Sequence, residues 1–179
     1  ILSEYGEELI RNLMSDASQI IKVTGIQPEN VIFYTASAWK VKVMENAVEL
    51  LKEGKLDIPG LTKKCMADEE LRKNGKAVSD LAKKIAGDYM RSSYEKAQPV
   101  AEMDETELLN SAIAFISEEI GFNVKVMNAD EADLYDPKGK AKAAIPGRRS
   151  RIRRSGQKTD RGKNRTNRRA ASKRKQGPL

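Results

Sequence analysis

The sequence predicts a mostly helical α+β chain. It opens with one amphipathic helix, read as the last helix of a bundle lying upstream, and continues into a small α/β domain with two or three short strands. Three observations lead there. Apolar residues recur at three- and four-residue steps through most of the chain. Two short β-branched or aromatic runs, at 31–36 and 122–127, stand far apart with helical patterns between them. From Arg148 onward both patterns stop and a run of cations begins.

The first helix spans 4–22. Leu9, Ile10, Leu13, Met14, Ala17, Ile20 and Ile21 line one face, and such a stripe must pack against something. Ser3 is placed to cap it, Glu4, Glu7 and Glu8 lie near its positive end, and Gly25 and Pro28 end it. The helical pattern begins almost at Ile1, which reads as a chain cut from something longer. Val31 to Ala36 reads as a buried strand, and Thr35 or Ser37 starts the next helix, whose stripe is Val43, Met44, Ala47, Val48 and Leu51 before Gly54. Leu56 to Ala67 forms a short helix with Pro59 in its first turn. Asp68 starts another turn, and Asn74-Gly75 breaks it.

Lys76 to Tyr89 is helical, with Val78, Leu81, Ala82, Ile85 and Tyr89 on one face, and Pro99 is placed in the loop that follows. Asp104 with Glu107 has capping-box spacing. The single helix it starts carries Leu108, Leu109, Ala112, Phe115, Ile116 and Ile120, and Gly121 ends it. Phe122 to Met127 alternates and reads as the second strand. Strands so far apart in sequence meet through helical crossovers, which allows a parallel pair. Tyr135 to Gly139 is a turn, and Lys140 to Ile145 is expected to be a further edge segment.

The chain has 179 residues, 33 Lys or Arg, 26 Asp or Glu and a net charge of +7. Residues 148–179 hold fourteen of the cations and one acid, Asp160, which leaves 19 basic and 25 acidic residues for 1–147. The positive charge therefore belongs to the tail. With Ile152, Ala170, Ala171 and Leu179 as its only apolar residues, that tail buries too little surface to offset ordering and is expected to be disordered. It has no aromatic residue, so nucleic-acid binding by it would be electrostatic. Two readings of it stand together: a polycationic arm, or residues that are vector-derived or read in another frame.

Histidine is absent and Cys65 is the one cysteine. That removes Ser-His-Asp and Cys-His catalysis, histidine zinc sites and an internal disulfide, the last fitting a reducing compartment. No GxxxxGK[ST] or GxGxxG loop occurs. No apolar run reaches the length of a membrane span, and no signal peptide is expected. No residue is assigned a catalytic or metal-binding role. Trp39 reads as a core anchor rather than a base-stacking residue, and Cys65 with Met66 as packing. Asp130, Glu131 and Asp133 read as a solvated acidic loop rather than a metal site. Lys138, Lys140 and Lys142 alternate, which on an extended segment puts them on one side, and Arg148 and Arg149 follow. Such a row suits phosphates; the same row would also serve as a charged edge that blocks strand pairing.

The order and spacing of IIKVTGI at 20–26, TASAWK at 35–40 and DPKGKAKAAIPGR at 136–148 resemble the C-terminal region of leucyl-tRNA synthetase of the archaeal and eukaryotic-cytosolic type, over about residues 1–148. The resemblance implies a fragment of a class I synthetase whose Rossmann catalytic domain, with its HIGH and KMSKS signatures, and editing domain lie upstream. Neither signature occurs here. ATP and Mg²⁺ then belong to the parent enzyme, with no cofactor in this chain, and the location is cytoplasmic. Residues 1–25 would be the end of a helical anticodon-binding-type bundle, 28–147 a tRNA-binding domain and 148–179 the basic tail. Family members of this type normally end soon after the PGR segment, in a short apolar peptide that reads the long variable arm of leucine tRNA. From Arg149 this sequence departs from that ending.

The expected function is thus noncatalytic binding of leucine tRNA, alongside the synthetase's catalytic body, in protein synthesis. Lys138, Lys140, Lys142 and Arg148 would face phosphates, with Pro146-Gly147 shaping the exit of the terminal peptide. The alternative is a free-standing interaction protein whose basic tail binds RNA or another polyanion.

Overall fold

The computed structural model describes residues 2–25, 27–131, 136, 139–147 and 151–155. Its elements are helix α1 (Leu2–Thr24), strand β1 (Asn30–Thr35), helices α2 (Ala38–Lys52), α3 (Ile58–Ala67), α4 (Glu69–Arg72), α5 (Gly75–Tyr89), α6 (Tyr94–Glu102), α7 (Glu105–Ser111) and α8 (Ile113–Ile120), strand β2 (Asn123–Asn128), a 3₁₀ turn (Ala141–Ala143) and strand β3 (Arg151–Ser155). The architecture is the mostly helical α+β arrangement expected. The strands form one sheet in the order β2-β1-β3. β1 and β2 are parallel, from Asn30 beside Asn123 to Thr35 beside Asn128. β3 runs antiparallel to β1, with Ile152 beside Phe33.

The two sheet faces are covered differently. Val31, Phe33 and Val124 point to one side, where Leu9, Leu13 and Ala17 of α1 and Leu109 and Ile116 of α7 and α8 pack on them. The stripe read on the first helix is therefore buried on this sheet. Ile32 and Tyr34 point to the other side and meet Ala141 and Ala144 of the segment after β2. A separate core fills the space among α2, α3, α5 and α6: Val43, Met44 and Val48 against Leu61, Cys65, Leu81, Ile85 and Val100. Burying one such aliphatic side chain contributes about 1.5–3 kcal/mol. Tyr5 touches both the α1 cluster and this second core.

Side-chain caps set several boundaries. Asp57 accepts from the amide of Gly60 and starts α3, Asp68 accepts from Glu70 and Leu71 and starts α4, and Asp104 accepts from Glu107 and starts α7. Gly121, at φ 73°, ends α8 in the left-handed conformation. Trp39 is half-buried against the second core and Cys65 is fully buried, as a packing role requires.

Four expectations are corrected. Pro99 is inside α6, not in a loop; burial of Ala97, Pro99 and Val100 outweighs the backbone bond that proline cannot make. The helix after Asp104 is two helices. The Ser111 hydroxyl donates to Leu108 O, the Ala112 amide is shared between Leu108 O and Leu109 O, and the path bends there. Lys140 to Ile145 is no strand: Ala143 N and Ala144 N bond back to Lys140 O and Ala141 O in a 3₁₀ turn. The disordered reading of the basic tail fails at Arg151–Ser155, where ladder bonds to β1 order the backbone; 148–150 and 156–179 lie outside the described residues.

Candidate functional site

The segment 139–147 has a single 3₁₀ turn as regular structure, and charged side chains hold its backbone. At its entry the Asp136 carboxylate accepts from Lys140 N at 2.7 Å and Ala141 N at 2.6 Å. In its middle Lys40, only 5% exposed, donates from Nζ to Lys142 O at 2.6 Å and to Ala144 O at 2.7 Å. The same ammonium lies 5.5 Å from the centre of the Trp39 ring, a cation–π distance. At the exit Gly147 N donates to Glu105 Oε1 at 2.8 Å, and Tyr5 Oη donates to the same oxygen at 3.2 Å. Gly147 has φ 68°, and a Cβ there would collide with Val100 Cγ1. Only glycine fits this exit.

Burial lowers the Lys40 pKa, opposed by the nearby Asp130 charge. Burial raises the Glu105 pKa, while the Gly147 amide and Tyr5 hydroxyl pull the other way. Tyr5 is pushed far up by burial and then by the Glu105 charge, so its hydroxyl stays a donor.

On the sheet face that this segment covers, Lys125 sits beside Ile32. Lys125 and Lys142 are exposed and Lys140 is half-exposed. Other lysines are engaged: Lys42 with Asp68 and Glu70, and Lys64 with Glu49. Among the described residues no acid forms an ion pair with Lys125, Lys140 or Lys142.

A groove of about 610 Å³ lies beyond the carboxyl ends of β1 and β2, lined by Thr35, Val41, Glu45, Glu102, Asp104 and Pro146 among others. Its acids repel phosphates, and most have structural partners. Asp104 caps α7, Glu105 holds Gly147 and Glu102 accepts from Gln98 Nε2 at 2.7 Å. At the groove's edge Asn128 Nδ2 donates to Thr35 Oγ1, Ala36 O and Thr106 Oγ1, tying both strands to α7. Asp130 Oδ2 accepts from Ala38 N at 2.7 Å and so caps α2 from across the sheet, although Ser37 occupies the N-cap position.

Of the residues singled out for phosphate contact, Lys140 and Lys142 lie at the 3₁₀ turn, where one turn takes about three residues. Two positions apart, they do not share one side as alternation on a strand would require. Pro146 is buried and Gly147 is pinned by Glu105. Lys138, Arg148 and Asp133 lie outside the described residues. Sequence reasoning missed Lys125, Lys40, Glu105, Tyr5 and Asp136. Lys40 carried a signal: a lone cation one place after Trp39 in the first turn of a buried helix. Glu105 resembled an ordinary first-turn acid, and nothing local marks it as a buried anchor.

No family model matches the chain. It is 36% identical over 146 residues to a leucine–tRNA ligase of Methanococcoides burtonii, which covers 80% of this chain and 15% of that protein. It is 34% identical over 146 residues to the leucine–tRNA ligases of Methanosarcina barkeri and Methanosarcina acetivorans, with the same coverage. The chain thus spans about 15% of the length of the curated relatives it matches.

Proposed function

We propose, from the premise that this chain corresponds to a partial region of the leucine–tRNA ligases, that it is a noncatalytic tRNA-binding module which helps select leucine tRNA by its long variable arm. The observation that carries the reading is the similarity to these ligases across four-fifths of the chain. Unpaired cations support it: Lys125, Lys140 and Lys142 stand without ion-pair partners among the described residues, while the acidic groove turns phosphates away. RNA is mostly recognised by shape and by its loops and ends, and an acidic body discourages indiscriminate attachment.

In this reading the module is the C-terminal part of the enzyme, 1–25 is the end of a helical bundle and 28–147 the tRNA-binding domain. Lys138 and Arg148 join the phosphate contacts, the catalytic body is its partner, and the site of action is the cytoplasm. ATP and Mg²⁺ act in that catalytic body. No helix of the described residues is long and apolar enough to cross a membrane.

The test compares tRNAs with long and short variable arms on the full chain and on a chain ending at Ser155, which keeps β3 on the edge of β1. Tighter binding of the long-arm tRNA by both chains is expected. Equal binding of the two tRNAs would sink the reading. The free-standing polyanion binder is favoured by the density of cations after Arg148. It predicts that affinity is lost with 156–179, and that log K for the full chain falls with log salt by roughly 0.7 per single-strand phosphate contacted.

A further inference from the structure

We infer that Lys40 and Glu105 are positioning residues that clamp the backbone of 142–147 at two points, and so fix the presentation of Lys140 and Lys142 and the direction in which the chain leaves Gly147. The role at the RNA rests on the tRNA-binding reading above; the clamp itself rests on geometry.

A buried ammonium and a buried carboxylate are each costly, and the least costly arrangement would pair them with one another or replace both by apolar groups. Here neither is done. Lys40 comes from the first turn of α2 and is 5% exposed; Glu105 is the first residue of α7 and is 9% exposed. Each is satisfied by backbone groups of the same short segment. Lys40 takes the carbonyls of Lys142 and Ala144, and Glu105 takes the amide of Gly147.

That segment needs such help. Among the described residues, the backbone of 140–147 supplies itself with the two bonds of the 3₁₀ turn, Ala143 N to Lys140 O and Ala144 N to Ala141 O. Buried carbonyls and amides left over must find partners or lose about 1–3 kcal/mol each. Ala141, Ala143, Ala144 and Gly147 are small enough to let the backbone approach the two anchors closely. Because α2 follows β1 directly and α7 is tied to both strand ends through Thr35, Thr106 and Asn128, the anchors are fixed to the rigid part of the fold. The loop inherits that rigidity. Tyr5 adds a donor to Glu105 from α1, so three elements converge on the exit.

The test uses the full chain with Lys40→Met, Glu105→Leu and the conservative Glu105→Gln, which keeps the accepting oxygen. Backbone resonances report the clamp: Gly147 by amide exchange, and Ala143 and Ile145 because their peptide planes carry the two accepting carbonyls. In Glu105→Leu, exchange at Gly147 is expected to accelerate at least about tenfold as the local structure opens, with Glu105→Gln close to wild type. In Lys40→Met the Ala143 and Ile145 resonances move while those of α5 stay. Both disruptive variants lose preference for the long-arm tRNA, and Glu105→Gln retains it. Unchanged Gly147 exchange in Glu105→Leu overturns the clamp. Lost protection with undiminished tRNA preference overturns its positioning role. A wild-type chain that binds both tRNAs equally refutes the RNA reading and the positioning role with it, while the resonances still decide whether the clamp exists.

Discussion

The hydroxyl oxygens of Thr35 and Thr106 lie 2.7 Å apart, joining the carboxyl end of β1 to the second residue of α7. Asn128 at the end of β2 donates to both hydroxyls and to Ala36 O. Removing Asn128 takes the donor from Ala36 O and from both part-buried hydroxyls, which keep only their bond to each other. Asn128→Ala is therefore expected to lower stability by about 1–3 kcal/mol in urea titration. Thr35→Val combined with Asn128→Ala should cost less than the two single changes together, because the residues share one network.

Gly147→Ala tests the exit of the 3₁₀ segment. The position has φ 68°, and the added methyl would meet Val100 Cγ1, Val100 Cγ2 and Tyr89 Oη. The left-handed conformation alone costs a non-glycine residue about 1–3 kcal/mol, and the collision adds to it. A fall of at least about 2 kcal/mol in unfolding free energy is expected from the two effects together. An unchanged denaturation midpoint would show that the backbone at 147 relaxes freely.

Glu105 gives stability a pH dependence of unusual sign. Its folded pKa is raised, first by burial, so the folded state holds a proton more readily than the unfolded chain. The groups facing it are the Tyr5 hydroxyl, the Gly147 amide and the Asp104 carboxylate. Below the unfolded value of about 4.3 both states are protonated. As pH rises from there to the folded value, the folded state binds more protons and stability falls. Unfolding of wild type and Glu105→Gln across that window should show this downward contribution in wild type only.

Cys65 is buried in the second core, with Asn46 Nδ2 3.7 Å from its sulfur, and burial pushes its thiol pKa up. Burial suppresses the reactive thiolate and outweighs the Asn46 hydrogen bond, which pulls the other way. Labelling by a disulfide reagent is expected to be at least about a hundredfold slower in the native chain than in guanidinium, following the opening equilibrium. Fast native labelling would place the thiol outside the core.

Much of this was legible in the sequence. The stripes Val43-Met44-Ala47-Val48 and Val78-Leu81-Ala82-Ile85 became the second core, because three- and four-residue spacing maps directly to one helix face. Both strand runs formed strands, and their separation by helices allowed the parallel pairing that they adopt. Pro99 and Ser111 misled because local preference yields to burial in one case and to a side-chain bond in the other. The lysine segment misled more. Period two was read as a strand, but small alanines let the chain coil onto Ile32 and Tyr34. Lys40 and Glu105 escaped notice because their backbone partners, Ala144 O and Gly147 N, lie 104 and 42 positions away respectively, a relation no local pattern carries.

Asn30 and Asn123, side by side at the start of the parallel ladder, are 93 positions apart in the chain. During synthesis the first strand must wait for all the intervening helices to be made before its neighbour exists. Loop closure over such a distance is slow relative to helix formation. The helices around Leu61 and Ile85 can gather early, since their contacts are closer in sequence, and α1 can cover Val31 and Phe33, whereas the edge of β1 that pairs with β2 stays open until residues 123–128 are made. Until then that unpaired edge is exposed to aggregation.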